Sequence, residues 1–261
     1  MRDIVLNPIR RANDPPLVAN RIIKAGALET LMTFPDSSIG AVISDPPYFT
    51  GTSRDGGGFG KDPWEDISSV QAAGEWATAI LEQIHRVTRR GGAVAIMCGV
   101  HASAAWMIAA ENAGLVWMAE VVVLWNTGKP RVKNFGGLHT HILWFTRPGA
   151  RHTWNSHRKA FYSNILVCQK IPIQHRVHIS QKPIELTNFL VSLLTMRKDI
   201  VLDPFCGSGS TLVSAALAER RYIGIDKDAN NVAHAKRRIA HAELEEENPI
   251  HFWINNRLEE I

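Results

Sequence analysis

Short unbroken apolar runs alternate along this chain with longer stretches in which apolar residues recur every three or four positions, the pattern of buried strands alternating with amphipathic helices. The first clear run is "AVIS" at 41–44. After a glycine-rich stretch, Val70, Ala73, Ala77, Ile80, Ile84 and Val87 share one helical face, with Ser68 placed to cap that helix. "RRGGAVAIMC" turns into a second buried strand, "HASAAWMIAAENAG" reads as a helix closed by Gly114, and "LVWMAEVVVLW" and "HTHILWFTR" read as two further strands. Pro183 opens a helix carrying Leu186, Phe189, Leu190, Leu193 and Leu194. "IVLD" at 200–203 runs into a helix ending near Arg220, "YIGID" forms the next strand, and a charged helix extends to about Asn248. This alternation predicts an α/β fold with a doubly wound, mainly parallel sheet covered on both faces, and an antiparallel hairpin over 115–147 at one edge. One domain over 1–261 accounts for the whole pattern.

Composition changes that picture little, but charge placement changes it a good deal. The 261 residues are 45% hydrophobic and 21% charged, an ordinary globular balance, and no apolar run reaches the roughly 20 residues of a membrane span. The N-terminus lacks a signal peptide's apolar region, so a cytoplasmic protein is expected. Cys98, Cys168 and Cys206 are widely spaced with no Cys-x-x-Cys pairing, which excludes a disulfide framework and fits a reducing compartment. The formal net charge of +4 hides an asymmetry. From 121 to 184 there are ten Lys or Arg and no acid, interleaved with Trp144, Trp154, Phe161 and Tyr162 and with six of the eleven His. Such a segment is expected to face a polyphosphate, with 147–180 as a target-recognition insert and Lys129, Arg131, Lys133, Arg151, Arg158 and Lys159 as nucleic-acid contacts. The alternative is a solvated basic face. His139, His141, His152, His157, His175 and His178 lack acidic or thiol partners at ligand spacing, so no metal site is expected, and their use would be hydrogen bonding to phosphate or base edges.

Two loops carry candidate chemistry. "VISDPPYFTG" ends a buried strand in Asp45, Pro46, Pro47 and Tyr48, and the diproline makes a stiff, extended mount. The glycine-rich stretch over 50–66 that follows is too flexible in composition to pack by itself. "DPFCGSGST" ends another strand in Asp203, with Gly207 and Gly209 allowing a tight turn straight into a helix N-terminus, a ligand cradle. It has neither the Gly-Lys-Ser/Thr of a P-loop nor the six-position fingerprint of nicotinamide enzymes. Asp226, at the tip of the next strand, is placed to accept from a ribose diol or to cap the following helix. Cys206 is read as a small packed residue.

Together, Asp45-Pro-Pro-Tyr48 and Asp203-Pro-Phe-Cys-Gly-Ser-Gly209 resemble the amino DNA methyltransferases that modify N6 of adenine or N4 of cytosine. The order, catalytic tetrapeptide before cofactor turn, resembles the permuted class β. "HISQKP" at 178–183 and "VLWNTGKPRVKNF" at 123–135 are similar to further elements of that family. The resemblance implies a Rossmann-like S-adenosylmethionine-dependent fold, a cofactor site of Asp203, Phe205, Gly207, Ser208, Gly209, Thr211 and Asp226, S-adenosylhomocysteine as product, and no metal. Lys182 is either a contact to the cofactor carboxylate, by resemblance, or one of the ten basic residues. The substrate implied is double-stranded DNA, often in a restriction-modification setting, and a homodimer is compatible with so small a recognition segment. Asp in the first position goes mostly with adenine within the group. Two departures stand out: Ala27 occupies a position where many permuted members carry an Asp that holds the cofactor's adenine, and "LHTHILWF" lacks the Glu often seen beside its His.

The chemistry agrees with the residue types. An exocyclic amino nitrogen is a poor nucleophile because its lone pair is delocalised into the ring. Asp45 and the Pro46 carbonyl can each accept one of its hydrogens and draw the nitrogen toward tetrahedral geometry. Tyr48 would stack on a base flipped out of the duplex. The rival readings are an N4-cytosine enzyme, a DNA-binding regulator that kept the fold without turnover, and a methyltransferase acting on RNA or a protein glutamine. Relatives of the last kind generally place the cofactor motif first.

Overall fold

The structure is a computed structural model that describes residues 17–47, 70–126, 137–156, 162–177 and 181–244. Eight strands form one sheet: β1 (Arg21–Lys24), β2 (Ile39–Ser44), β3 (Thr88–Cys98), β4 (Val116–Trp125), β5 (His139–Thr146), β6 (Ile165–Cys168), β7 (Ile200–Asp203) and β8 (Arg221–Asp226). Their order is β1-β8-β7-β2-β3-β5-β4-β6. Every adjacent pair is parallel except β3 with β5 and β5 with β4, so β5 alone runs against the other strands.

Among the described residues the α-helices are α1 (Ala27–Met32), α2 (Val70–Val87), α3 (Val100–Asn112), α4 (Ile184–Leu194), α5 (Ser210–Leu217) and α6 (Ala229–Leu244). They divide between the two faces as a doubly wound sheet requires. Leu31 of α1, Ile80, Leu81 and Ile84 of α2, and Trp106 and Ala110 of α3 pack on Val42, Val94, Ile96 and Leu143. Leu186 and Leu190 of α4, Leu212 of α5 and Ile239 of α6 pack on Ala41, Ile43, Ala95 and Val201 from the other side. Because both faces are covered, all six residues of β2 and all four of β7 are buried, which is why these strands read as unbroken apolar runs. No helix among the described residues is long and apolar enough to cross a membrane.

The expected elements form, β1 and α1 are additional to them, and three further differences stand out. The β4–β5 antiparallel pair is present, but β6 adds to β4 in parallel, so the pair stands one strand in from the edge. β6 comes from within the basic segment, whose charge hid a half-buried "ILVC" strand. The helix after the glycine turn ends at Leu217, three residues earlier than expected. There Arg220 Nη2 donates to the Thr195 carbonyl at 2.8 Å and its Nε to Thr195 Oγ1 at 2.9 Å, which fixes the turn into β8. Ser68, the glycine-rich stretch 50–66 and Asn248 lie outside the described residues.

Candidate active site at the switch point of the sheet

β2 and β7 are neighbours, yet the chain leaves β2 toward α2 on one face and leaves β7 toward α5 on the other. A crevice at the carboxyl ends of two such strands is where doubly wound sheets bind ligands. Asp45 and the glycine turn meet there. Ser44 Oγ donates to Asp203 Oδ1 at 2.6 Å, tying the last residue of β2 to the last of β7 across 159 positions of sequence. Asp203 also accepts the Phe205 amide at 3.1 Å and the Thr211 side chain. It is only 4% exposed, so it lies beneath the turn and holds it in place. Asp45 follows directly, half-buried, and its carboxylate is ion-paired with Lys182, whose side chain is only 12% exposed. Pro46 is buried. Tyr48 lies outside the described residues.

The turn itself is held from three sides. Gly207 and Gly209 have φ of 48° and 79°, the left-handed region that glycine enters without steric cost. A Cβ on Gly209 would lie 2.7 Å from that of Ala235, so α6 packs directly against the turn. The Gly207 amide donates to Asp226 Oδ2 at 2.9 Å, and the Cys206 amide to the Ile225 carbonyl at 3.0 Å, fastening the turn to the tip of β8. From below, Arg238 Nη1 of α6 donates to the Ser208 carbonyl at 2.7 Å, Ser208 Oγ at 3.1 Å and Ser210 Oγ at 3.2 Å. Ser210 Oγ in turn donates to the Lys182 carbonyl at 2.8 Å, so the start of α5 anchors the backbone just before α4. Phe205 packs against Trp76 with ring centroids 5.5 Å apart, and Trp76 against the buried Trp106 at 5.9 Å. Burial pushes the Cys206 thiol well above its ordinary range, with Asp203 and Asp226 adding to the effect, so it is no nucleophile.

Asp226 does not cap α6. Asp228 does, accepting the Asn230 and Asn231 amides at 2.6 and 3.2 Å. Asp226 instead receives the Gly207 amide, the Asp228 amide at 2.8 Å and the Asn231 side chain, which leaves its half-exposed carboxylate at the rim of the crevice.

The basic segment divides between the two ends of the sheet. Arg147 is used internally: Nη1 donates to Ser37 Oγ and to the carbonyls of Arg86 and Thr88 at 2.8, 3.0 and 2.5 Å, closing the C-terminus of α2. Arg151 is exposed, but its carbonyl lies against Gly91 near the start of β3. Asp45 is at the other end, level with the end of β3 and roughly 20 Å away along a strand at about 3.3 Å per residue. The structure therefore does not bring Arg151 to the site. Lys129, Arg131, Lys133, Arg158 and Lys159 lie outside the described residues. The flanks of the first three, Trp125 and His139, sit at the same edge as Asp45, because His141 pairs with Cys98 at the end of β3. The flank of the last two, Asn155, is bonded to the Ser192, Leu193 and Thr195 carbonyls at the far end.

Three of the interleaved aromatics pack on one another. Trp144 stacks on Trp154 at 5.2 Å, Trp154 meets Tyr162 at 5.5 Å and Tyr162 meets Phe189 at 6.3 Å, a row of rings covering the α4 side of the sheet. His152 packs edge-on to Trp144, and His141 Nδ1 pairs with Glu120 of β4, which supplies from a neighbouring strand the acid absent beside His139. Ser44 and Ser210 lie inside the two quoted loops without being singled out there, and Trp76 and Arg238 join the site from helices that carry no motif. Ser44 has a local signal, a hydroxyl inside a fully buried run immediately before Asp45.

Burial raises the Asp203 carboxyl to about 7, against the opposing pull of its three donors. The folded protein therefore holds a proton that the unfolded chain releases near pH 4, and stability falls as pH rises from about 4 through 7. In denaturation series across that window, Asp203→Asn should be less pH-sensitive than wild type.

The crevice suits S-adenosylmethionine: a tight amide-lined turn with a helix start behind it, a carboxylate at the second strand tip for a diol, and a half-buried acid and base across from them. Residues 39–237 match the family model of N6/N4 DNA methylases. Type II methyltransferase M.HpaI of Haemophilus parainfluenzae is 26% identical over 245 residues, covering 84% of this chain and 74% of its own. The solved M1.HpyAVI complex with S-adenosylmethionine superposes with TM-score 0.66 at 22% identity, covering 84% of this chain and 98% of that one. The cytosine-N4-specific PvuII DNA methyltransferase does so with TM-score 0.69 at 15% identity, covering 86% and 91%. With the sheet order, the glycine turn and the Asp-Pro-Pro loop in one crevice, the chain belongs to the N6-adenine/N4-cytosine family of S-adenosylmethionine-dependent DNA methyltransferases.

Proposed function

We propose that this protein methylates the N6 amino group of an adenine flipped out of double-stranded DNA, with Asp45, Pro46, Pro47 and Tyr48 as the catalytic loop. The observation that carries this reading is the Ser44–Asp203 hydrogen bond, which holds the base of that loop against the cofactor turn. S-adenosylmethionine, when bound, supplies an electrophilic sulfonium methyl group. Phe205, Gly207, Ser208, Gly209 and Thr211 line or support its cradle, Asp226 takes the ribose hydroxyls and Lys182 the carboxylate, while Asp203 acts from beneath. Asp45 accepts one amino hydrogen and the Pro46 carbonyl the other, turning the nitrogen lone pair toward the methyl. Tyr48 stacks on the extruded ring. Asp as the first residue of the tetrapeptide supports adenine over cytosine. Lys129, Arg131 and Lys133 contact the DNA backbone near the site.

Modified-base sequencing of DNA from cells expressing the protein tests this reading. N6-methyladenine at a fixed sequence is the expected result. N4-methylcytosine there would assign the other base, and DNA without either mark, from cells making folded protein, would leave a binding protein without turnover.

A further inference from the structure

Asp45 and Lys182 each have a task that their mutual ion pair prevents. An Asp45 carboxylate neutralised by an ammonium group is a poor acceptor for an amino hydrogen, and a Lys182 held by Asp45 is withheld from a ligand in the turn. Both side chains are largely shielded, 18% and 12% exposed, so neither charge can be left without a partner cheaply. What is fixed is the backbone: the Lys182 carbonyl accepts from Ser210 Oγ at the lip of the turn, and Pro183 follows at the start of α4. What can swing is a four-carbon stem with a rotatable ammonium. Arg238, the other cation touching this turn, is engaged beneath it with Ser208 and Ser210.

We propose that Lys182 is an exchangeable partner: it pairs with Asp45 and transfers to the carboxylate of the arriving cofactor, so that cofactor binding releases Asp45 to receive the target amino group. The inference rests on the functional reading above. Because coupling is reciprocal, cofactor and extruded base each tighten the other's binding.

Calorimetric titration with S-adenosylhomocysteine, which has the carboxylate but no sulfonium charge, tests this in the full-length protein. Asp45→Asn leaves Lys182 without its competitor and should tighten binding by about 5- to 30-fold, a typical coupling between sites. Lys182→Met should weaken binding, and adding Asp45→Asn to Lys182→Met should then change affinity less than about 2-fold, as a double-mutant cycle requires of a shared partner. With 5′-methylthioadenosine, which lacks the carboxylate, Asp45→Asn should make no difference. Unchanged or weaker S-adenosylhomocysteine binding by Asp45→Asn overturns the exchange. So does equal tightening with and without Lys182, which would mean simple repulsion between Asp45 and the ligand. If wild-type protein does not bind S-adenosylhomocysteine at all, the functional reading itself fails and the exchange falls with it.

Discussion

Asp45→Ala protein is expected to lose methyl transfer by about 10³-fold or more while still binding DNA. The size follows from what the carboxylate does. Removing one preorganised electrostatic partner from a water-poor site costs on the order of 10²–10³ in rate, and here the same group also positions the nucleophile. Asp45→Ala has a second effect, since it strands the shielded Lys182 ammonium without its carboxylate partner. Breaking such a pair costs about 3 kcal/mol or more in well-buried cases, and less at this partly exposed one. Asp45→Asn, which keeps the shape and one acceptor oxygen, separates the two: it should keep the wild-type melting temperature within a few degrees and still lose most of the rate. Single-turnover transfer of a tritiated methyl group to genomic DNA, alongside circular dichroism melts, reads both. A near-normal rate in folded Asp45→Ala would rule out the proposed role of this loop.

The second large effect concerns DNA. A Lys129→Ala, Arg131→Ala, Lys133→Ala triple variant should bind duplex DNA about 10- to 1000-fold more weakly at moderate salt. Its plot of log affinity against log salt should flatten by roughly two to three units, near 0.9 for each phosphate that is no longer neutralised. Arg151→Ala should stay within about 2-fold of wild type, since Arg151 lies by the start of β3, at the opposite end of the sheet from Asp45. Fluorescence anisotropy from 50 to 200 mM salt distinguishes the two. Equal losses in both variants would mean that DNA engages both ends of the sheet.

The central elements are legible in the sequence because their periodicity is strong and burial is two-sided: β2, β3, β7 and helices α2, α3 and α4 read directly from apolar spacing. β1 and β6 are not. Each is an edge strand that owes its existence to pairing with one neighbour, β8 or β4, and not to a pattern of its own. The two chemical loops are legible as motifs, but their meeting is not, because the Ser44–Asp203 hydrogen bond spans 159 positions and depends on the sheet order. Arg238 is invisible for a similar reason: on a charged helix it looks like any solvated arginine, and only the packing of α6 on Gly209 turns it inward. Charge counting misleads for a physical reason. The acid-free stretch reads as one surface, whereas Arg147 is a helix clasp, Lys182 is Asp45's partner and Trp144 is a core residue with Trp154 stacked on it.

The one reversed strand has a consequence for the connection between β4 and β5. Because β5 runs backwards, the chain leaves the sheet after Trp125 and returns at His139 on the same rim as Asp45. The connection between them joins two neighbouring strands at that rim. Both of its ends are therefore fixed by strands of the sheet and neither by a helix of the two layers, so a change of length there need not shift α2 or α4.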